Sequence, residues 1–132
     1  MLRSADDLDA FLTRMDRRFD RVAPETFLVA LGGGRPPVAI RFAPPVVVLQ
    51  VDVGPAPTGT PALEARLFRR LLELNASDLL HVAYGLEQGR IVLDGALEAE
   101  SLDLSELEAV LASFDLATSI HVPELALLAR SG

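Results

Sequence analysis

The sequence contains no cysteine and no lysine. Without cysteine there are no disulfides, no thiolate metal sites and no thiol nucleophile, and nothing points to an oxidising compartment. Without lysine there is no Schiff-base or lysine-base chemistry, and all twelve basic residues are arginine. That bias, with abundant Ala, Leu and Val, fits the codon usage of a GC-rich bacterial genome. Positive charge is scarce: the formal net charge is −7. This argues against DNA, RNA or an anionic membrane as partner, because phosphate binding is driven mainly by Lys and Arg. Long apolar runs are missing too. Val46 to Val53 is too short to span a bilayer and contains Gln50 and Asp52,. Met1 to Asp9 has three Asp and no apolar stretch, so it does not read as a signal peptide,. The expectation is a cytoplasmic protein.

What remains is a chain of 132 residues, half of them hydrophobic, which suits one domain over 1–132 with its own core,. Ser4 with Asp7 reads as a helix start, and Leu8, Phe11, Leu12, Met15, Phe19 and Val22 recur at helical spacing to about Arg21,. Three strands follow: Phe27 to Leu31, Val38 to Phe42 and Val46 to Val53. They are separated by Gly32-Gly33-Gly34-Arg35-Pro36-Pro37 and Ala43-Pro44-Pro45,. After a Gly/Pro loop, Thr60 and Pro61 start a second helix to about Leu74,. His81 to Glu87 and Arg90 to Glu98 form a hairpin around Gln88-Gly89,. Asp103 and Glu106 cap a third helix, and Pro123 is expected to break it,. The fold class is α+β, in the order α-β-β-β-α-β-β-α, with helices packed on a twisted antiparallel sheet.

Catalytic signals are weak. The glycine-rich loop leads into a strand, whereas a phosphate loop needs a helix N-terminus after it. His81 and His121 have no carboxylate at a metal-ligand spacing,. Asp94, Glu98, Glu100, Asp103, Glu106 and Glu108 fall on solvent-facing strand positions, a cap and an outer helix face. No catalytic residue, metal ligand or cofactor site is expected.

Surplus apolar surface is more informative. On the second helix Leu63, Leu67, Leu71 and Leu74 form one stripe, and Phe68 with Leu72 lies about 100° further round,. One core needs only one such stripe, which suggests a homodimer through Leu63, Leu67, Leu71 and Leu74. On the third strand Val47, Leu49, Val51 and Val53 face one way. Val46 and Val48 share the other face with Gln50 and Asp52,. Val46 and Val48, with Phe27 and Val38, would make an apolar patch of the kind that marks a partner site.

The element order, and the run Leu71-Leu72-Glu73-Leu74-Asn75-Ala76-Ser77 into His81-Val82-Ala83-Tyr84-Gly85-Leu86, resemble a known family. The likeness continues through Gly89-Arg90-Ile91-Val92-Leu93 and Leu102 to Leu111, and spans about Pro61 to Leu125. The family is the type III secretion chaperones of the Tir-chaperone class, with the related YbjN-like domains. The resemblance implies a non-catalytic cytoplasmic homodimer that holds an extended segment of a protein client on apolar patches. Two alternatives remain open: a YbjN-like regulatory or scaffold domain in a bacterial assembly, and a small enzyme or ligand-binding domain using His81, Tyr84 or Arg41.

Overall fold

The chain starts as a helix because Ser4 and Asp7 close its first turn from both sides. In a computed structural model of the protein, which describes residues 2–130, the Ser4 hydroxyl accepts from the Asp7 N–H at 3.2 Å. The Asp7 carboxylate in turn accepts from the Arg3 N–H at 2.8 Å. Helix α1 (Ala5–Arg14) buries Leu8 and Leu12 and stops at Met15, whose backbone is extended. The expected continuation to Arg21 does not occur. Phe19–Ala23 is instead a strand, β1, antiparallel to β2 (Thr26–Val29). Phe19 fits helical spacing by coincidence: its ring packs on Phe27 of the sheet at 6.2 Å between centroids, and Val22 is exposed. The order is therefore α-β-β-β-β-α-β-β-α, one strand more than the sequence pattern suggests.

The remaining strands are β3 (Val38–Ala43), β4 (Val46–Pro55), β5 (Ala83–Glu87) and β6 (Arg90–Glu98). They complete one six-stranded sheet in the order β1-β2-β3-β4-β6-β5, antiparallel throughout. Strand alternation gives the sheet two unlike faces. Phe27, Val29, Val38, Ile40, Phe42, Val47, Leu49, Val51 and Leu93 are buried and join the core with the helices. Gln88 and Gly89 at the β5–β6 turn both have positive φ, as a tight two-residue hairpin requires,. The glycine loop is a pinned turn: Arg35 donates to the carbonyls of Leu31, Gly32 and Asp115 and to the Thr118 hydroxyl.

Helix α2 (Pro61–Ser77) runs three residues beyond Leu74. Helix α3 (Leu104–Arg130) opens on Asp103, whose carboxylate accepts from the Glu106 N–H at 2.8 Å. The expected break at Pro123 is absent, and the helix continues through it. Proline removes one i→i−4 bond. The acceptor left over belongs to Ser119, which is exposed, so water can satisfy it. Buried His121 and Leu125 hold the helix on either side of Pro123. Leu104–Ala129 is long and apolar enough to cross a membrane, yet Leu107, Val110, Leu111, Phe114 and Ala117 place it in the core.

Gly95 on β6 sits at a close approach of the chain. A Cβ there would meet the His81 carbonyl at 3.1 Å and Val82 Cγ1 at 3.2 Å. Replacing Gly95 by Val should destabilise the fold by about 1–3 kcal/mol, the usual range for overpacking. Urea unfolding would measure it, and an unchanged midpoint would refute the account of this contact.

Candidate partner-binding surfaces

The second sheet face is left to solvent. Thr26, Ala39, Arg41, Val46, Val48, Gln50, Asp94 and Ala96 lie on it, all exposed or half-buried. With His81, Val82, Ala83 and Glu87, most of them line an open trough of roughly 750 Å³. Of the four residues expected to form a client patch, Val46 and Val48 stand on this face, while Phe27 and Val38 are fully buried on the other. The expectation for Phe27 and Val38 assigned them to the wrong side of the sheet. β2 pairs with β3 so that Phe27 stands opposite Ile40 and Val29 opposite Val38, all four facing the core.

Polar groups frame the trough. The Gln50 side-chain amide donates to Glu87 Oε2 and to Asp94 Oδ1, each at 2.8 Å. Arg90 clamps both oxygens of Asp52 at 2.9 and 2.8 Å. Arg41 and His81 have no hydrogen-bond or ion-pair partner among the described residues. His81 and the carboxylates therefore share one rim without being joined into an acid–base pair.

A second surface lies where α2 meets β5. The four leucines expected at a dimer interface, Leu63, Leu67, Leu71 and Leu74, are all buried within the chain. The stripe that α2 leaves accessible is the other one. Phe68 is half-buried and Leu72 is 68% exposed. Together with Leu71, Asn75, Tyr84, Gly85 and Leu86 they line an apolar cleft of roughly 280 Å³. β5 is an edge strand. Asn75 blunts that edge by acting as a fragment of a neighbouring strand: its Oδ1 accepts from the Tyr84 N–H at 2.7 Å, and its Nδ2 donates to the Tyr84 carbonyl at 3.1 Å,. The same bonds explain why the helix keeps Asn75 in register rather than ending there.

Behind the cleft runs a polar chain that sequence spacing could not reveal, since its members lie 37 and 43 positions apart. The Tyr84 hydroxyl is 3.2 Å from His121 Nδ1, and His121 Nε2 is 3.2 Å from Asp78 Oδ2. His121 sits in the middle of α3 and is buried, rather than at a helix end. All three groups are satisfied when Tyr84 donates to Nδ1 and Nε2–H donates to Asp78. Burial pushes the Tyr84 hydroxyl well above the ordinary tyrosine range, so it acts as a donor and not as a base. Ser77 first, then His121, hold the Asp78 carboxyl below its ordinary value by hydrogen bonding. The chain ties the end of α2, β5 and α3 together. Among the described residues no group of three or more His, Asp or Glu side chains is placed to hold a metal ion.

A third surface is a concavity of roughly 850 Å³ rimmed by Arg14, Arg17, Arg18 and Arg35. Asp16, Glu108 and Asp115 line it too, and Arg17 pairs with Asp115 at 2.6 Å. Leu116, Ile120 and Leu127 form an exposed apolar row on α3.

A twisted antiparallel sheet with helices on one face defines an α+β protein with the fold of a type III secretion chaperone. The CesT_Tir_1 family model matches residues 1–131, and the chain belongs to that family of type III secretion chaperones. Among solved structures it is similar to a chain of the heterodimeric complex ExoU–SpcU from the type III secretion system of Pseudomonas aeruginosa. The TM-score is 0.69 at 21% identity, covering 88% of this chain and 95% of that one. At that identity the likeness is one of fold. No curated protein matches the sequence.

The strand-edge role of Asn75 is directly testable. Asn75→Ala removes both bonds to Tyr84 and should cost about 1–3 kcal/mol, since it leaves partly buried backbone groups unpaired. Thermal and urea unfolding measure the loss. Stability equal to the parent would show that water replaces the amide without cost.

Proposed function

We propose that this chaperone-family protein holds an extended segment of a protein client on the open face of its sheet. It does so as a homodimer, in the bacterial cytoplasm and without catalysis. The observation that carries the reading is the unlike pair of sheet faces: one is consumed by the core, while the other presents Val48, Ala39 and Ala96 in an open trough, with Val46 on the same face beyond it. An extended peptide fits such a surface by placing alternate side chains in it. Family membership and the fold shared with a chain of a two-protein complex support a protein as the partner.

The dimer contact falls on α2 in this proposal, as the sequence pattern suggests, but through its outer stripe. Phe68 and Leu72 make the contact with Leu86, and Leu71 forms the floor. Leu63, Leu67 and Leu74 support the helix from beneath. Light scattering should give twice the chain mass of 14.2 kDa. Leu72→Glu should give the single-chain mass with unchanged circular dichroism. A parent protein that is already monomeric, or a mutant that stays dimeric, rules this contact out.

The client reading is tested by co-purification from the native host, with the partner identified by mass spectrometry. Hydrogen exchange is then measured on the complex. Protection should concentrate in β3, β4 and β6, and Val48→Glu should lower client recovery at least tenfold while leaving the fold intact. Protection confined to other elements, with recovery unaffected by Val48→Glu, defeats the proposal.

A further inference from the structure

We propose that the open face selects client segments by charge as well as by apolar fit. An acidic client side chain seats on Arg41, and a basic one, about four residues away so that both point into the trough, seats at Glu87 and Asp94. The inference rests on the client-holding reading and deepens it.

Arg41 projects from β3 onto the open face, in register between Thr26 of β2 and Val48 of β4. Its guanidinium has no partner among the described residues. That sets it apart from Arg17, Arg21, Arg35, Arg70 and Arg90, which are each tied to a carboxylate. A guanidinium offers five donors in a planar fork that matches a carboxylate. Left solvated in a trough, it is the group there best suited to an incoming acid.

The opposite end of the trough has the inverse character. Glu87 and Asp94 converge on one neutral amide, Gln50. Two carboxylates held together without a cation between them favour a cation from outside, and each keeps acceptor capacity beyond its single bond to Gln50. The floor between the two ends is made of Ala39, Val48 and Ala96. These short side chains leave depth for apolar side chains of the client.

The spacing of the two charges follows from sheet geometry. Arg41 stands opposite Val48, and Gln50, two residues along β4, stands opposite Asp94 on β6. Two strand spacings across and two residues along separate Arg41 from Asp94 by about 12 Å at the Cα atoms. An extended chain covers that distance in about four residues, the even offset that keeps both side chains on one face. A second copy of this acidic chain is a poorer occupant, and a nucleic acid would be repelled by the Glu87–Asp94 end.

The test uses fluorescein-labelled ten-residue peptides of β-forming apolar residues, read by fluorescence anisotropy against the full chain. One peptide carries a glutamate about four residues from an arginine, so that both face the trough, and is made in both orders so that the tighter is used. Two twins replace either the glutamate or the arginine by glutamine. Each neutral twin should bind the parent protein about tenfold more weakly, the size of one charge-assisted hydrogen bond in a partly solvated site. Arg41→Gln should bind the full peptide and its glutamate-lacking twin equally, yet still discriminate the arginine. Glu87→Gln combined with Asp94→Asn should do the reverse. Val48→Glu should weaken every peptide.

If Val48→Glu abolishes binding while Arg41→Gln still prefers the glutamate peptide, charge selection is overturned and the client face stands. If no peptide binds at millimolar concentration, or Val48→Glu changes nothing, both fall. If Val48→Glu or Arg41→Gln halves the particle mass read by light scattering, the face joins copies of the protein and the inference is overturned.

Discussion

The structure depends on β4 being committed in two directions. It pairs with β3 over Val46–Gln50 on one side and with β6 over Val46–Pro55 on the other. Its side chains alternate between a core face of Val47, Leu49 and Val51 and an open face of Val46, Val48, Gln50 and Asp52. A slip of one residue would drive Gln50 and Asp52 into the core and expose the valines. Burying an unpaired carboxylate costs far more than any apolar contact there could return. The polar residues of the open face thus act as register locks, and their bonds to Asp94, Glu87 and Arg90 extend the lock across β6 and β5. The core, the trough and the spacing of its charged groups all inherit that register.

Charge is distributed in keeping with this arrangement. Acidic residues occupy the first turns of α1, α2 and α3, where the helix dipole favours them,. Several arginines tie elements together: Arg21 reaches Asp6 from β1, Arg17 and Arg35 reach Asp115 of α3, and Arg70 of α2 meets Glu124 of α3. Individually such half-exposed pairs contribute little, typically under about 1 kcal/mol. Their effect is to orient helices and loops that the core has already brought together. They also leave few cations unengaged, which is what gives Arg41 its distinct character on the open face.

Much of this fold was legible in the sequence, because alternation and helical periodicity are local properties. β3, β4, β6, the Gln88-Gly89 turn and the starts of all three helices follow from apolar spacing and capping residues within a few positions. The features that escaped are those decided by distant partners. Phe19 and Val22 match a helix, but pairing of Phe19 with Val29 makes them a strand. Pro123 is a helix breaker locally, yet core contacts at His121 and Leu125 carry the helix through. The partition of α2 into two apolar stripes was readable. Which of them faces the core was not, because that depends on where α3 and β5 lie. Val46 and Val48 were readable as a second-face pair, whereas Phe27 and Val38 depended on the phase of strands whose limits were uncertain by a residue. The Tyr84–His121–Asp78 chain left no local signal at all.

The exposed apolar rows differ in what they offer a partner. Leu116, Ile120 and Leu127 lie along a single helix, which offers a partner burial but no strand edge to pair with. The α2–β5 cleft offers burial against Phe68, Leu72 and Leu86 beside a strand at the edge of the sheet. Outward-facing backbone groups alternate along an edge strand. Tyr84 presents one such pair, and Asn75 satisfies it. The next pair, two residues on, belongs to Leu86, whose exposed side chain is in the cleft. A partner chain can therefore add main-chain bonds at Leu86 but not at Tyr84. Such an edge admits a short contact backed by side-chain packing and resists open-ended strand addition, the property a chaperone with an exposed sheet needs if it is not to aggregate through its own edges.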